Sequence, residues 1–230
     1  MTGDTVSGIL SPHTVKTEQQ HDTKMKSKTL LIAAAALAAT VISSEAQVYS
    51  QNVVGYVNVV CPANTLVLAA NPLDNGTNDL NSLCGTLPSK SQAQFWNGAG
   101  FTICNKGATW APNPVLAPGT GFFIKSATLQ TNTFVGNVAC FSGSSVTNTL
   151  AANTLYLVGS TIPYGDNFNS TSNTLNLNLL PSKSQAQVWN GAGFTIVNKT
   201  ASWSPNQTIA VGQGFFIKSA TATNWVESLP

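Results

Sequence analysis

Residues 88–106, PSKSQAQFWNGAGFTICNK, return 93 positions later as residues 181–199, PSKSQAQVWNGAGFTIVNK, with seventeen of nineteen residues identical. The two exceptions are Phe95 against Val188 and Cys104 against Val197. The same offset carries GFFIKSAT from 121–128 to 214–221 and Trp110 to Trp203. Upstream, Ala63-Asn64-Thr65-Leu66 meets Ala152-Asn153-Thr154-Leu155 at an offset of 89, so copy two holds a four-residue insertion between these blocks. Self-similarity of this kind marks a repeated structural unit. Copies of about 90 residues are large enough to bury their own cores, unlike the short units of solenoids.

Within a copy, Gly, Pro and Asn punctuate short runs of β-branched and aromatic residues, and no long 3.6-residue period occurs outside the N-terminal leader. The pattern predicts strands near 53–60, 65–69, 92–96, 101–105, 121–125 and 133–139. Trp96-Asn97-Gly98-Ala99-Gly100-Phe101 is a hairpin signal, because Asn and Gly tolerate the positive φ of a tight reversal; Trp189 to Phe194 repeats it. Pro118-Gly119 opens a turn before Phe122-Phe123-Ile124, and Gly212 with Gly214 does so before Phe215-Phe216-Ile217. The expected fold is all-β: two tandem homologous small β-sandwich or barrel-like modules, residues 47–141 and 142–230, following a leader and signal peptide over 1–46.

That leader has the form of an export signal. Met25 begins a run with Lys26 and Lys28, an apolar stretch from Leu30 to Ile42 follows, and Ser44-Glu45-Ala46 is a small-x-small cleavage site. The apolar run is too short and too rich in Ala for a membrane anchor, which needs about 20 residues. Cleavage after Ala46 is expected, giving a chain secreted or displayed at the cell surface without a membrane span in its mature form. Residues 1–24 read as an over-extended start or a disordered leader.

Cleavage would remove both histidines, His13 and His21, and leave Asp74, Asp79, Asp166 and Glu227 as the only acids. Ser-His-Asp and Cys-His chemistry and His-ligated metal sites are excluded for that form. Charged residues make up only 8% of the chain, against about 25% in ordinary soluble domains. There is no Arg, so the bidentate contacts that read guanine or clamp phosphate are missing and nucleic acid is not an expected partner.

VYSQNVVGYVNV at 48–59, LVLAANPLDNG at 66–76, the WNG elements, the second Trp of each copy and PGTGFFIK at 118–125 together resemble a group of secreted tandem-repeat β proteins of verrucomicrobial bacteria. The resemblance covers nearly all of residues 47–230. It implies export and a β-rich module that recurs in tandem, and it assigns no activity to any residue.

The cysteines Cys61, Cys84, Cys104 and Cys140 all lie in or at the end of copy one. In an exported chain they suggest disulfides, with Cys61–Cys140 joining the first and last strands of the module and Cys84–Cys104 as the remaining pair. Alternatively, Cys84 and Cys104 align with Leu177 and Val197 and act as small core hydrophobes. Trp96, Trp110, Trp189 and Trp203 are candidates for stacking on sugar rings, against the reading that at least one Trp of each pair anchors a core. Asp74-Asn75-Gly76-Thr77-Asn78-Asp79 has oxygen at loop spacing but lacks the closing Glu of a calcium loop, and reads as a solvated turn. Gly119-Thr120-Gly121 is a turn and not a phosphate loop, and Ser89-Lys90-Ser91 a surface segment. No cofactor is expected. The functional expectation is a non-enzymatic structural or cell-surface interaction protein, with cell-surface components or glycans as partners. The alternative is a pair of carbohydrate-binding modules using exposed Trp residues.

Overall fold

The computed structural model describes residues 54–140 and 142–229, so the expected leader, signal peptide and cleavage after Ala46 fall outside the described residues. The two copies belong to one compact unit.

Copy one contains β1 (Val54–Cys61), β2 (Leu66–Ala70), a short helix α1 (Leu80–Cys84), β3 (Gln92–Trp96), β4 (Phe101–Lys106), β5 (Trp110–Ala111), β6 (Gly121–Lys125) and β7 (Gln130–Asn137). Copy two contains β8 (Ser145–Leu150), β9 (Leu155–Gly159), β10 (Asp166–Asn167), a 3-10 turn (Leu177–Leu179), β11 (Gln185–Trp189), β12 (Phe194–Lys199), β13 (Trp203–Ser204), β14 (Thr208–Ile209), β15 (Gly214–Lys218) and β16 (Thr223–Ser228). Each copy is a sandwich of two antiparallel layers. In copy one a five-stranded sheet, β2-β6-β3-β4-β5, faces the ribbon β1-β7; in copy two β13-β12-β11-β15-β9 faces β16-β8. Neither sheet closes into a barrel.

The period-2 alternation explains the layers. Ala93, Phe95, Cys104, Phe122 and Ile124 point inward from the copy-one sheet and meet Val57 and Phe134 from its ribbon. Ala186, Val188, Val197, Phe215 and Ile217 do the same in copy two, against Leu150 and Trp225. The hairpins at 96–101 and 189–194 form as expected: Asn97 Oδ1 accepts from the N–H groups of Ala99 (3.0 Å) and Gly100 (2.9 Å), and Gly98 takes φ of 97°.

The strand expectation missed α1, which Asp79 caps by accepting from Ser82 N–H at 2.7 Å. It also missed that the insertion is a compound event. Asn81 Oδ1 accepts from Trp110 N–H as Asn169 Oδ1 does from Trp203 N–H, an offset of 88, while Cys84 and Leu177 both accept from the Trp indoles at an offset of 93. Copy two has therefore lost one residue upstream and gained five between Asn169 and Leu177. The gained segment straps the ribbon: Thr174 O accepts from Ser228 N–H at 2.9 Å, and Asn176 Nδ2 donates to Val226 O at 2.9 Å.

The expected disulfides are not present. All four cysteines are free thiols and buried. Cys61, Cys84 and Cys104 belong to the core of copy one, whereas Cys140 packs into the core of copy two, which separates the Cys61–Cys140 pair.

Candidate functional site

The four tryptophans predicted to carry a site divide into two kinds. Trp110 and Trp203 are core residues, 2% and 1% exposed, with indole N–H groups donated to Cys84 O (3.0 Å) and Leu177 O (2.8 Å). Lys106 and Lys199 lie 5.8 Å from their ring centroids. Trp96 and Trp189 are half-buried and face outward from their sheets, and each reaches into the other copy. Trp96 Nε1 donates to Leu155 O at 3.0 Å and Trp189 Nε1 to Leu66 O at 3.1 Å.

That exchange is one of several reciprocal pairs. Ala70 N–H donates to Gly212 O at 2.9 Å and Gly159 N–H to Gly119 O at 3.0 Å. Trp96 packs edge-on against Phe216 as Trp189 does against Phe123, with centroids 5.6 and 5.4 Å apart. The outward faces of the two sheets thus meet around Leu68, Phe123, Leu157 and Phe216, and the contacts map onto each other when the copies are swapped, as in an isologous dimer. Close approach needs glycine in the GxGFF elements: a Cβ on Gly121 would sit 2.9 Å from Val158 O, and one on Gly214 2.6 Å from Ala69 O.

Beyond the apolar seam each sheet presents a polar row. Strand register aligns Leu66, Lys125, Gln92 and Asn105 across copy one, and Leu155, Lys218, Gln185 and Asn198 across copy two. Gln92 Nε2 donates to Asn105 Oδ1 at 3.3 Å, matched by Gln185 to Asn198 at 3.0 Å. In copy one Gln94 Nε2 donates to Gln92 Oε1 at 3.0 Å. This row ends in a cleft of about 420 Å³, where Asn64, Thr65, Leu66, Gln92, Gln94 and Lys125 face Trp189 and Gly191 of copy two. Every one of these has an identical residue at the equivalent place: Asn153, Thr154, Leu155, Gln185, Gln187, Lys218, Trp96 and Gly98. A neighbouring, largely apolar cleft of about 430 Å³ lies beside Val59, Val60 and Val211; copy two carries Asn148 and Thr149 at the positions of the two ribbon valines.

The polar cleft lies within the region of identity. In the nineteen-residue repeat the two differing positions, Phe95/Val188 and Cys104/Val197, are both buried in module cores. All six outward positions of the hairpin, Gln92, Gln94, Trp96, Phe101, Ile103 and Asn105, are the same in both copies. Sequence reasoning found the Trp residues but not the Gln, Lys and Asn row, whose signal was this inversion of identity between core and surface.

The remaining groups are occupied structurally. Asp74 Oδ1 accepts from Gly76 N–H (2.8 Å) and Asn78 Nδ2 (2.6 Å), which closes the loop read as a solvated turn. Among the described residues no three His, Cys, Asp or Glu side chains gather into a metal-binding group. Burial pushes the thiols of Cys61, Cys84 and Cys104 up, so they stay protonated and poorly nucleophilic. Glu227 is fully buried in copy two, and burial raises its carboxyl to about 7 against the hydrogen bonds of Ser160 and Thr161. The proton count at Ser160 agrees. Its hydroxyl lies 2.7 Å from Ile162 O, which can only accept, and 2.5 Å from Glu227 Oε2, so one shared hydroxyl proton serves both contacts only if Glu227 supplies the other.

No protein-family model, no curated protein and no solved structure matches this chain.

Proposed function

We propose that the chain is an exported, non-enzymatic interaction protein of the cell surface, in which two β modules form one body presenting the same ligand-facing surface twice. The observation that carries this reading is the identity of the cleft residues in both copies, alongside cores that have diverged. A catalytic reading finds less support. Three of the four acids outside the leader, Asp74, Asp79 and Asp166, take local loop-closing hydrogen bonds, and the fourth, Glu227, is enclosed by Ser160 and Thr161. The carbohydrate-binding alternative is favoured by one specific feature, the half-buried Trp96 and Trp189 beside amide side chains.

The test has two arms. Expressed in a bacterial host, the full chain should be recovered outside the cytoplasm with Gln47 as its first residue. The purified product should co-sediment with washed cell envelopes. Retention in the cytoplasm uncleaved overturns export. A catalytic turnover lost on Asp74→Asn, Asp166→Asn or Glu227→Gln overturns the non-enzymatic reading.

A further inference from the structure

We infer that the duplicated Trp–Gln–Lys cleft is a saccharide subsite for an acidic sugar, a pyranose bearing a carboxylate, and that the tandem carries two such subsites related by its internal two-fold arrangement. The inference rests on the interaction reading above and gives it a ligand class.

The chemistry is set by what each side chain has left to offer. The Trp189 indole N–H is already donated to Leu66 O, so the half-buried ring presents carbon surface and no donor to the cleft. A carbon ring face suits the apolar face of a pyranose. Gln92 and Gln94 are oriented by the chain of amide contacts running to Asn105, and each amide offers a donor and an acceptor, the pairing that vicinal hydroxyls need. Lys125 adds a cation. No acid lines the cleft, and among the described residues no carboxylate pairs with the ammonium of Lys125 or Lys218. The described acids lie elsewhere, in the loops around Asp74, Asp79 and Asp166 and in the copy-two core at Glu227. A cation with no internal partner beside neutral amides and a stacking ring is complementary to a carboxylated sugar.

The same residue types recur at the equivalent positions on the other side. Trp96 meets Leu155, which pairs with Lys218, and Lys218 pairs in turn with Gln185. A bulk excess of positive charge does not explain the lysines. All six lysines after the leader fall into three equivalent pairs, of which Lys106 and Lys199 are buried over Trp rings; Lys125 lines the cleft and Lys218 is its counterpart.

The experiment titrates the full chain calorimetrically with hexagalacturonate, cellohexaose and hexaglutamate, and follows tryptophan fluorescence in parallel. Hexagalacturonate should bind at two equivalents per chain and perturb the emission of Trp96 and Trp189. Lys125→Gln should leave one equivalent, and Lys125→Gln with Lys218→Gln should weaken binding about tenfold or more, the loss of a charge-assisted contact. Lys125→Arg should retain it. Because Lys125 lies on the outward face, Gln92→Ala serves as a second variant should the lysine substitution disturb folding, and should also reduce affinity. Equal affinity for cellohexaose, or for the lysine variants, overturns the acidic-sugar class and leaves the interaction reading standing. Equal affinity for hexaglutamate overturns the saccharide. Absence of binding by all three at millimolar concentration, in a chain that still sediments with envelopes, shows that the cleft is only the rim of the inter-copy seam. Failure to sediment with envelopes speaks against the interaction reading instead.

Discussion

At the end of β1 copy one buries Cys61 where copy two buries Leu150; α1 ends on Cys84 where the 3-10 turn begins on Leu177; β7 buries Asn132 and Phe134 where β16 buries Trp225 and Glu227. Copy one thus fills the region with thiols and an amide, and copy two with leucines and an indole whose N–H is donated to Leu175 O in the inserted strap. The cores have been repacked by exchange of volume between neighbours, which folded cores tolerate when total volume and pattern are kept. The outward hairpin positions show no such drift. Core positions away from this region, Trp110, Phe122 and Ile124, are likewise unchanged in copy two, and the seam accounts for Trp96 and Trp189.

The sharpest way to expose the difference between the cores is Trp225→Ala. Trp225 is 1% exposed and packs 5.9 Å from Phe215, so truncation leaves a large cavity beneath the strap. A loss of about 3–5 kcal/mol is expected in urea unfolding of the full chain. Asn132→Ala, at the equivalent place in copy one, should cost far less. Its buried amide has only a weak contact with the Cys84 thiol and no close hydrogen bond, so removing it relieves a desolvation cost that offsets lost contacts. Similar losses at the two sites would mean that the cores differ in composition but not in how they are held.

A second, slightly smaller effect distinguishes the copies by pH. Position 227 is a buried acid in copy two and Phe134 in copy one. The Glu227 carboxyl stands at about 7 in the folded chain against an ordinary value of 4.5, so between these values the unfolded chain has released the proton that the folded chain still holds. Stability is complete below pH 4.5, falls as the pH rises to 7, and stays reduced above it, by about 3 kcal/mol. Asp74, Asp79 and Asp166, all held below their ordinary 3.8, act in the opposite sense and only in more acidic solution. Thermal unfolding across pH 4–8 should show the decline, and Glu227→Gln should flatten it. A decline that persists in Glu227→Gln would place its cause elsewhere.

Much of the fold was legible. Asn97-Gly98 and the Asn190-Gly191 repeat forced reversals because few residues accept the backbone conformation required, and the alternation of Ala93 and Phe95 with Gln92, Gln94 and Trp96 set the strand faces. Helix α1 was missed because five residues carry no period; its one trace in the sequence is the capping Asp79. The sequence offers all four Trp residues as stacking candidates without telling the outward pair from the buried one, and an offset of 93 says nothing about how two copies are placed relative to each other. That Trp96 and Trp189 each lie against the other copy, Trp189 lining a cleft with Lys125 and Gln92, depends on contacts between segments far apart in the chain. The cysteine pairing failed for the same reason: Cys140 follows β7 of copy one in sequence yet packs with the core of copy two.

The smallest expected effect tests whether the seam is symmetric. Trp96→Phe and Trp189→Phe each keep an aromatic ring against Phe216 or Phe123 and remove one N–H donor, from a bond of 3.0 Å to Leu155 O in the first case and 3.1 Å to Leu66 O in the second. Each should lower the stability of the full chain by about 1 kcal/mol, the net worth of one such bond. Near-equality is the informative part, because it follows from reciprocal contacts and not from the unequal cores. The same reciprocity predicts that residues 142–230 expressed alone will associate with themselves. Trp189 of one molecule would then meet Leu155 of the next as Trp96 does in the tandem, with Phe216 replacing the identical Phe123 and Gly159 leaving room where copy one has Ala70. Tethering two modules supplies an effective concentration of about a millimolar, so the untethered pair should separate on dilution into the micromolar range. Sedimentation velocity over that range checks it, with Trp189→Phe shifting the equilibrium toward monomer. A fragment that remains monomeric at every concentration, or a tandem in which the two substitutions differ by more than about 1 kcal/mol, would mean that the resemblance between the two halves of the seam is geometric and not energetic.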